Sequence, residues 1–457
     1  MNLSRRRWMA TVGVTAAGLG VGPALAGLSG RVRPETARGT TGQPLPELSG
    51  PFRLPVSWYQ KTVQRFQAIL QQKGLDGAIV SHVLNRNYLT GVFLTETERP
   101  NYLFVPARGE PAAFVPGLDR DMMASWWVKD FEWYFDFPHA GEYNKVQWTA
   151  GKKEDLFEWA LRGIARRGFG KGKLGIDLEP APSLAKRFKK TLPKARLSDI
   201  SKDLLHMRQV KTPEEIALTQ QAIDLHDRML AFARDYILER GSDATDFDVR
   251  HATEEFGTHE LMKVLKLDGK PHTGVGIRLG FGCRAGVATA YPHPNQFFYK
   301  KIARGDAVQI ATLINIGGYG GEGYRALHIA PMTDEQKKLW EVHTRMTLAQ
   351  AELAKAGTRC QEVAEKVLKM AIDAGLEKYV YHRPAHGAGM EGHQAPYLAL
   401  GDDTVIEENM MFSNEPGLYN PEGGYGYNHS NNVRATKERG VIMNKTPLTK
   451  EWCWIKL

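Results

Sequence analysis

The second half of the sequence places histidines and glutamates beside glycine-rich bends and at the ends of apolar runs. The candidate residues are His293 in YPHPN, Glu322, Tyr324 and Arg325 in GYGGEGYR, His386 and His393 in HGAGMEGHQAP, Glu415 in SNEPGLY and His429 in GYGYNHSNN. A single histidine is more often a hydrogen-bonded structural residue than a ligand. Histidines and carboxylates that gather at such positions are typical of a metal or acid/base site. We therefore predict one such site in the second half of the chain.

Predicted strands and helices must bring these residues together. Residues 309 to 330 begin as an apolar run, turn through a glycine-rich bend and return, which predicts a hairpin of two strands. Thr212 is the predicted N-cap of a long helix, because Pro213 follows it and Glu215 completes a capping box. That helix is predicted to end at Gly241. The other predicted elements are strands at 284 to 291, 410 to 419 and 431 to 443, and helices from Thr333 and over 361 to 375.

The first half alternates helical and strand patterns and holds no comparable group of chemically active residue types. Val63 and Leu70 share one stripe of a predicted helix that stops at Gly74. Short apolar runs predict strands at 77 to 82, 101 to 107 and 173 to 180. We predict an α/β (α+β) fold with an N-terminal domain over residues 51 to 205 and a catalytic domain over residues 206 to 457. A chain of 457 residues with 42% apolar residues is long enough to build both cores.

The first 50 residues predict export. Arg5 and Arg6 in SRRRWM resemble the arginine pair of a twin-arginine signal, and the apolar stretch ends at Ala26 with a sequence that suits signal peptidase. Residues 1 to 26 are therefore a predicted signal peptide, and residues 27 to 50, rich in Gly, Pro, Ser and Thr, are a predicted linker. The apolar stretch is too short and too rich in glycine to be a stable membrane anchor. We expect a periplasmic protein, with an ordinary secretory signal as the alternative.

The charge and the cysteines exclude several classes of protein. The formal net charge is +9, and two stretches, 167 to 173 and 186 to 196, are rich in lysine and arginine. They carry no nucleic-acid motif and no interleaved aromatics, so we interpret them as solvated faces and expect no nucleic-acid partner. Three widely separated cysteines predict neither a zinc knuckle nor a disulfide framework. The expected partner is a small-molecule substrate.

The order of the motifs resembles that of the creatinase, prolidase and aminopeptidase P family. PHP, GDAVQI with GYGGEGYR, HGAGMEGHQAP and NEPGLY follow one another as they do in that family. NYLTG (87 to 91) and MRQVKTPEEI (207 to 216) match its N-terminal domain and its domain junction, so the resemblance covers about residues 50 to 450. It implies a creatinase-type α/β domain followed by a catalytic domain with the pita-bread fold. It also implies a homodimer.

The metal ligands of that family are only partly present in this chain. The family's peptidases hold two metal ions with two aspartates, one histidine and two glutamates. The matching positions are Ala311 and Glu322 for the aspartates, His386 for the histidine and Glu415 for the first glutamate. The last glutamate falls on His429, Ser430 or Asn431, none of which is a carboxylate. Two neighbouring divalent ions need several carboxylates to offset their repulsion, so we do not expect a dinuclear centre.

Two arrangements of the site remain open. One divalent transition metal ion would be held by Glu322, His386, Glu415 and His429. Alternatively the site contains no metal, as the resemblance to creatinase implies. His293 would then transfer a proton between water and the leaving nitrogen, while His386 and His393 stabilise the developing charge.

Five residues have further predicted roles at this site. Glu322 and Glu415 would hold a cationic substrate group or orient water, and Arg325 would bind a substrate carboxylate. Tyr324 and His429 are predicted to contact the substrate. Tyr324 stands where creatinase has a glutamate, so creatine is not the expected substrate.

We carry three hypotheses for the function. The first is an exported creatinase-like hydrolase or lyase that acts on a C–N or related bond of a small molecule, by histidine-centred acid/base catalysis without a dinuclear metal centre. The second is a divergent Xaa-Pro aminopeptidase with a single metal ion. The third is a non-catalytic member that binds a peptide or a small ligand in the same cleft.

Overall fold

The computed structural model of the chain describes residues 53–94, 96–134, 154–264, 276–293 and 299–457. The predicted signal peptide (1 to 26) and linker (27 to 50) lie outside the described residues. In the part of the chain that the structure describes, no helix combines the length and the apolar character needed to cross a membrane.

The first half is one mixed sheet with helices packed against it. Its elements are α1 (Val56–Gln72), β1 (Gly77–Val80), α2 (Val83–Thr90), β2 (Tyr102–Pro106), β3 (Ala112–Pro116), α3 (Arg120–Ala124), β4 (Asp130–Tyr134), α4 (Leu156–Ile164), β5 (Lys173–Ile176), α5 (Pro182–Thr191), β6 (Arg196–Asp199) and α6 (Ser201–Gln209). The six strands form a sheet in the order β4-β3-β2-β1-β5-β6. β1 pairs antiparallel with β2 and parallel with β5. The predicted helix and strands of this half are confirmed, and the boundary predicted after residue 205 falls within α6.

The second half is built from antiparallel sheets and long helices. Its elements are α7 (Pro213–Arg240), α8 (Asp246–Val264), β7 (Arg278–Ala285), β8 (Ala307–Ile316), β9 (Tyr319–Ile329), α9 (Asp334–Leu353), α10 (Cys360–Asp373), β10 (Ala385–Gly387), β11 (Gln394–Leu398), β12 (Met411–Asn414), β13 (Leu418–Asn420), β14 (Tyr425–Tyr427), β15 (Asn431–Ala435), β16 (Gly440–Ile442), α11 (Lys450–Cys453) and β17 (Trp454–Ile455). The described strands form sheets in the orders β17-β9-β8-β7, β11-β10-β12-β15-β16 and β13-β14.

α7 supports the strand hairpin that the sequence predicts. It begins at Pro213, and the capping box is present, since the Thr212 side chain accepts from the Glu215 backbone N–H and the Glu215 carboxylate accepts from the Thr212 backbone N–H. Its apolar residues at intervals of seven are all buried: Ile216, Ile223, Leu230 and Ile237. The helix packs against β8 and β9. The predicted long helix and its cap are therefore confirmed.

One predicted strand lies earlier in the chain than expected. The sequence predicts a strand at 284 to 291, whereas β7 spans Arg278–Ala285 and a short 3-10 turn follows it. Gly286 has a φ of 59°, in the left-handed region that an extended strand cannot contain. The strand therefore ends at the residue before this glycine.

Candidate active site

The β8–β9 hairpin decides which side chains share a face. Successive residues of a strand point to opposite sides, so Glu322 and Tyr324 lie on one face of β9 and Arg325 on the other. In the register of the hairpin, Leu313 pairs with Glu322 and Ala311 pairs with Tyr324. The position where the family holds its first aspartate is therefore occupied by the methyl group of Ala311, beside the phenol of Tyr324.

Four residues predicted from the sequence form a compact cluster, which we call the Glu–His cluster. Its members are Glu322, His386, His393 and Glu415, and one ligand atom from each lies within 4.8 Å of the others. His386 Nε2 is 2.8 Å from Glu322 Oε1 and 3.2 Å from Glu415 Oε1. The rings of His386 and His393 stack with their centroids 3.9 Å apart, and His393 Nε2 is 4.0 Å from Glu322 Oε1.

Backbone pairing brings the cluster together. His386 lies at the centre of β10, which pairs with β11 on one side and β12 on the other. His393 immediately precedes β11, and Glu415 immediately follows β12. Both residues therefore reach His386 from neighbouring strands, while Glu322 approaches it from β9. His386 is fully buried, whereas His393 is half exposed, with 52% of its side chain accessible.

Two serines help to hold Glu322 in place: Ser413, which the sequence analysis did not select, and Ser430, one of its three candidates for the bridging-glutamate position. Ser413 Oγ donates to Glu322 Oε1 at 2.9 Å, and Ser413 Oγ is 2.7 Å from Ser430 Oγ. The Tyr324 hydroxyl donates to Glu322 Oε2. Ser430 shares the face of Tyr324 because the two residues pair across the strands. Of the three candidates for the bridging-glutamate position, Ser430 is the one that faces the cluster.

The charges in the cluster are coupled. Burial opposes ionisation of Glu322, but the hydrogen bonds from His386 and Tyr324 and the charges of His386 and His393 together outweigh it and lower the pKa of this carboxyl. Burial likewise opposes protonation of His386, but its hydrogen bonds to Glu322 and Glu415 outweigh burial and raise the pKa of the imidazole. Burial, and then the charges of Glu322 and Glu415, raise the pKa of Tyr324 far above its usual value. Tyr324 is therefore a hydrogen-bond donor at every physiological pH.

His429 is buried away from the Glu–His cluster. Its Nδ1 accepts the Ala326 backbone N–H at 3.1 Å, and its ring stacks on His343 with the centroids 5.1 Å apart. Burial lowers the pKa of His429 well below its usual value, so the ring is neutral. These contacts do not fit the predicted roles of His429 as a metal ligand and a substrate contact. The physical reason is strand alternation, which turns the neighbouring Ser430 toward the site.

Arg325 also faces away from the cluster. Its Nη1 donates to the Ser430 carbonyl at 2.9 Å, and its Nη2 donates to Asn431 Oδ1 at 2.9 Å and to the Thr446 carbonyl at 2.6 Å. The side chain is fully buried. This placement is incompatible with the predicted contact between Arg325 and a substrate carboxylate. The guanidinium instead ties β9 to the segment around residue 430 and to the segment before α11.

His293 lies at a cavity next to the cluster. The cavity has a volume of about 490 Å³, and its wall includes His293, Tyr324 and Ala311. His293 is exposed. Tyr324 belongs to this wall and donates to Glu322, so it links the cavity to the Glu–His cluster. His293 and Tyr324 therefore share one cavity, and the Tyr324 hydroxyl connects that cavity to Glu322.

The segment that carries His393 is tied to the first half of the chain. Arg208 Nη1 is 3.2 Å from Glu391 Oε2, and Arg208 Nε donates to Asn85 Oδ1 at 2.9 Å. Asn85 in turn donates to Asp177 Oδ2 at 2.9 Å. Arg208, Asn85 and Asp177 are all buried. This chain of contacts holds the segment before β11, and with it His393, against the N-terminal sheet.

The donor set of the cluster fits one metal ion better than two. Glu322, Glu415, His386 and His393 offer two carboxylates and two imidazoles, a set that suits one divalent transition metal. A second ion has no adjacent carboxylate, because Ala311 and Ser430 stand at the positions that would supply one. His393 thus takes the place in the donor set that the sequence assigns to His429.

Comparisons with known proteins agree with this fold. Residues 217–437 match the model of metallopeptidase family M24, and residues 63–210 match the creatinase/prolidase N-terminal domain. The protein therefore has a creatinase-type N-terminal domain followed by a pita-bread domain. The chain belongs to the creatinase and prolidase family of hydrolases, which confirms the fold and the enzyme class predicted from the motifs.

Individual relatives cover most of the chain. An Xaa-Pro dipeptidase of Lactobacillus delbrueckii subsp. lactis is 29% identical over 372 residues, which span 79% of this chain and 90% of the relative. A creatinase of Bacillus sp. (strain B-0618) is 23% identical and spans 82% of this chain and 88% of its own. The crystal structure of the prolidase from Pyrococcus horikoshii OT3 covers 85% of this chain and 99% of its own, with a TM-score of 0.67 and 20% identity.

Proposed function

We propose that this protein hydrolyses a C–N bond in a small molecule and uses at most one metal ion to do so. The observation that carries the proposal is the Glu–His cluster, which keeps two carboxylates and two histidines in contact although Ala311 and Ser430 replace two carboxylate positions. The relatives named Xaa-Pro dipeptidase and creatinase support hydrolysis. Elimination by a lyase is the less supported form of the same hypothesis.

Each residue of the site has a role in this reaction that follows from its position. His293, exposed at the cavity, transfers a proton between water and the leaving nitrogen. Glu415, whose side chain is 14% exposed, orients the attacking water, while Glu322 is held by Tyr324, Ser413 and His386. His393 is half exposed and donates to the charge that develops on the substrate.

One ion in the cluster is the first of two candidates for the cofactor. Two carboxylates and a divalent cation balance in charge, with His386 and His393 as neutral ligands. Such an ion, when bound, polarises a carbonyl group and lowers the pKa of bound water.

A metal-free site is the second candidate, and a specific observation favours it. His386 Nε2 already lies within hydrogen-bond distance of both Glu322 and Glu415, so a protonated His386 stands between the two carboxylates. In this arrangement His293 carries the proton transfer without help from a Lewis acid.

Metal analysis tests the proposal directly. Protein purified without chelators is expected to contain at most one equivalent of a divalent transition metal, because the donor set lacks a second pair of carboxylates. Elemental analysis by mass spectrometry measures this, with Glu415→Gln as the variant that loses the ion and Glu422→Gln, an exposed glutamate outside the cluster, as the matched control. Two equivalents in active protein would contradict the proposal. Full activity with no metal selects the metal-free candidate.

A panel of substrates tests the reaction. The panel contains Xaa-Pro dipeptides and small amides, assayed with and without added divalent metals. Turnover that releases an amine or an amino acid supports the proposal. Ligand binding without turnover of any member would replace it with the hypothesis of a non-catalytic binding protein.

We further propose that the protein acts in the periplasm, supported by the arginine pair in SRRRWM. Replacing Arg5 and Arg6 together with lysine is expected to retain a reporter fused to residues 1 to 50 in the cytoplasm. Cell fractionation measures the distribution, and Arg7→Lys is the matched control, since it changes a neighbouring arginine outside the pair. Export of the double variant at the parent level would contradict the twin-arginine assignment.

We also propose that the protein is a homodimer, and analytical ultracentrifugation of the full chain measures its oligomeric state.

A further inference from the structure

The cavity beside the Glu–His cluster has a wall of unusual composition. β7, at the edge of its sheet, supplies one wall, while Ala311, Leu313 and Tyr324 line the wall from β8 and β9. α8 closes another side. A space of about 490 Å³ suits a small organic molecule.

Strand alternation places an arginine at each end of this wall. Arg278, Gly280, Gly282 and Arg284 are two residues apart along β7, so they share one face. Gly280 pairs with Leu313, and Gly282 pairs with Ala311. The two glycines and the methyl group of Ala311 leave a low, flat floor between the arginines. A Cβ atom added at Gly282 would lie 3.7 Å from the Ala311 Cβ. A larger side chain at this position would therefore fill the space above the floor, which glycine leaves open.

The acidic groups of the cavity have other partners. Glu254 Oε1 accepts the Phe281 backbone N–H at 3.1 Å and lies 3.3 Å from Arg250 Nε. Asp246 Oδ1 accepts the Lys300 backbone N–H at 3.0 Å. These carboxylates are therefore engaged at the α8 side of the cavity.

The two arginines of β7 keep donors for a ligand. Among the described residues, no carboxylate lies within ion-pair distance of Arg278 or Arg284. Arg284 Nη1 donates to the carbonyl groups of Tyr291 and Pro292, at 3.3 Å and 2.9 Å. A guanidinium has five N–H donors, so these two bonds leave several of them.

We propose that this cavity binds a small molecule with a flat ring and that Arg278, at one end of the floor, binds its carboxylate. The ring lies on the floor of Gly280, Gly282 and Ala311 and contacts Leu313, which is 41% exposed. Arg284 stands about 20 Å further along β7, beyond the ring, so the carboxylate takes its charge-assisted hydrogen bonds from the Arg278 guanidinium alone. This inference rests on the proposed function for the role of the cavity, and it names the class of substrate, a ring-bearing carboxylate with its scissile bond next to Tyr324.

Binding of a simple probe tests the inference without turnover. Benzoate is expected to bind the full chain, as measured by isothermal titration calorimetry, and benzamide, which has the same shape and no charge, is expected to bind at least about tenfold more weakly. Arg278→Gln is expected to weaken benzoate binding by about tenfold or more. Arg284 is left unchanged in this test, because it also holds the segment before His293.

Arg304→Gln is the matched control, since Arg304 is exposed, lies outside the cavity wall and carries the same charge. The inference is overturned if benzamide binds as tightly as benzoate, or if Arg278→Gln binds benzoate within about twofold of the parent. The same holds if Arg304→Gln weakens binding as much as Arg278→Gln does.

The outcomes also separate this inference from the proposed function. Arginine-dependent benzoate binding by a protein that hydrolyses nothing would overturn the proposed function alone. Hydrolysis of uncharged amides at a rate that Arg278→Gln leaves unchanged would overturn the inference alone.

Discussion

Replacing His293 with alanine is expected to lower kcat by roughly 100-fold or more while the protein stays folded. General acid/base catalysis by a positioned side chain contributes about 10² to 10⁴ in rate, and His293 is the exposed imidazole in the cavity wall that holds Tyr324 and Ala311. Because the side chain is exposed, its removal leaves no buried cavity and no unpaired buried group. Steady-state kinetics on the substrate that the panel identifies, together with the circular dichroism spectrum, measure both parts of the expectation.

Two further variants make this result interpretable. His293→Gln keeps much of the size and polarity of the side chain but cannot exchange a proton near neutral pH, so it should lose as much activity as the alanine variant. His259→Ala removes another exposed histidine, on α8 and outside the cavity wall, and should keep the parent rate. A kcat for His293→Ala within about threefold of the parent would remove His293 from the mechanism.

The parts of the fold that local sequence determines were predicted well. The capping boxes that begin α7 and α9 are present at Thr212 and Thr333, and the hairpin of β8 and β9 turns where the glycines predict. Each of these features depends on residues close together in sequence. Two of them, α7 and the hairpin, are also needed to build the site, since α7 supports the hairpin and the hairpin presents Glu322.

The membership of the Glu–His cluster was predicted, but the direction of individual side chains was not. Motif order selected His386, His393, Glu322 and Glu415, which the structure brings together. It also selected Arg325 and His429, which are next to Tyr324 and Ser430 in sequence but whose side chains contact groups away from the cluster. The spacing of a motif determines which residues are close in sequence. Which face of a strand a side chain occupies depends on the register, because a shift of one residue turns it to the opposite face.

Residues that support the site through contacts between strands are hard to recognise from the sequence. Ser413 and Ser430 support Glu322, yet a serine beside a strand is common and carries no characteristic pattern. The alternation of arginine and glycine in RLGFGCR became meaningful only once β7 was placed beside β8. The sequence predicts this strand at 284 to 291, whereas β7 spans Arg278–Ala285. The pairing of its arginines and glycines with β8 could therefore not be predicted.

Arg325→Met is expected to lower the free energy of unfolding by about 3 to 5 kcal/mol. The guanidinium is fully buried and donates to the carbonyl groups of Ser430 and Thr446 and to Asn431 Oδ1. Methionine fills most of the volume but leaves Asn431 Oδ1 and the Thr446 carbonyl unpaired, whereas the Ser430 carbonyl still accepts the Tyr324 backbone N–H. Each buried unpaired acceptor costs about 1 to 3 kcal/mol. Burial also lowers the pKa of Arg325 to about 10, which shows that the charge itself is held at an energetic cost. Removing that charge offsets part of the loss, so the net change is smaller than the sum over acceptors.

Equilibrium unfolding in urea measures this change, and Arg439→Met is the matched control. Arg439 is an exposed arginine whose ion pair with Glu352 is worth about 1 kcal/mol or less. Activity distinguishes a structural role from substrate binding, because the folded fraction of Arg325→Met should keep the KM of the parent. A variant with the parent's stability and a KM raised about tenfold would restore the substrate contact that the motif predicts. The expected pair of results, lost stability with an unchanged KM, follows from the face of β9 on which Arg325 lies. On the other face, three residues earlier and within the Glu–His cluster, Glu322→Gln should show the reverse, with turnover falling far more than stability.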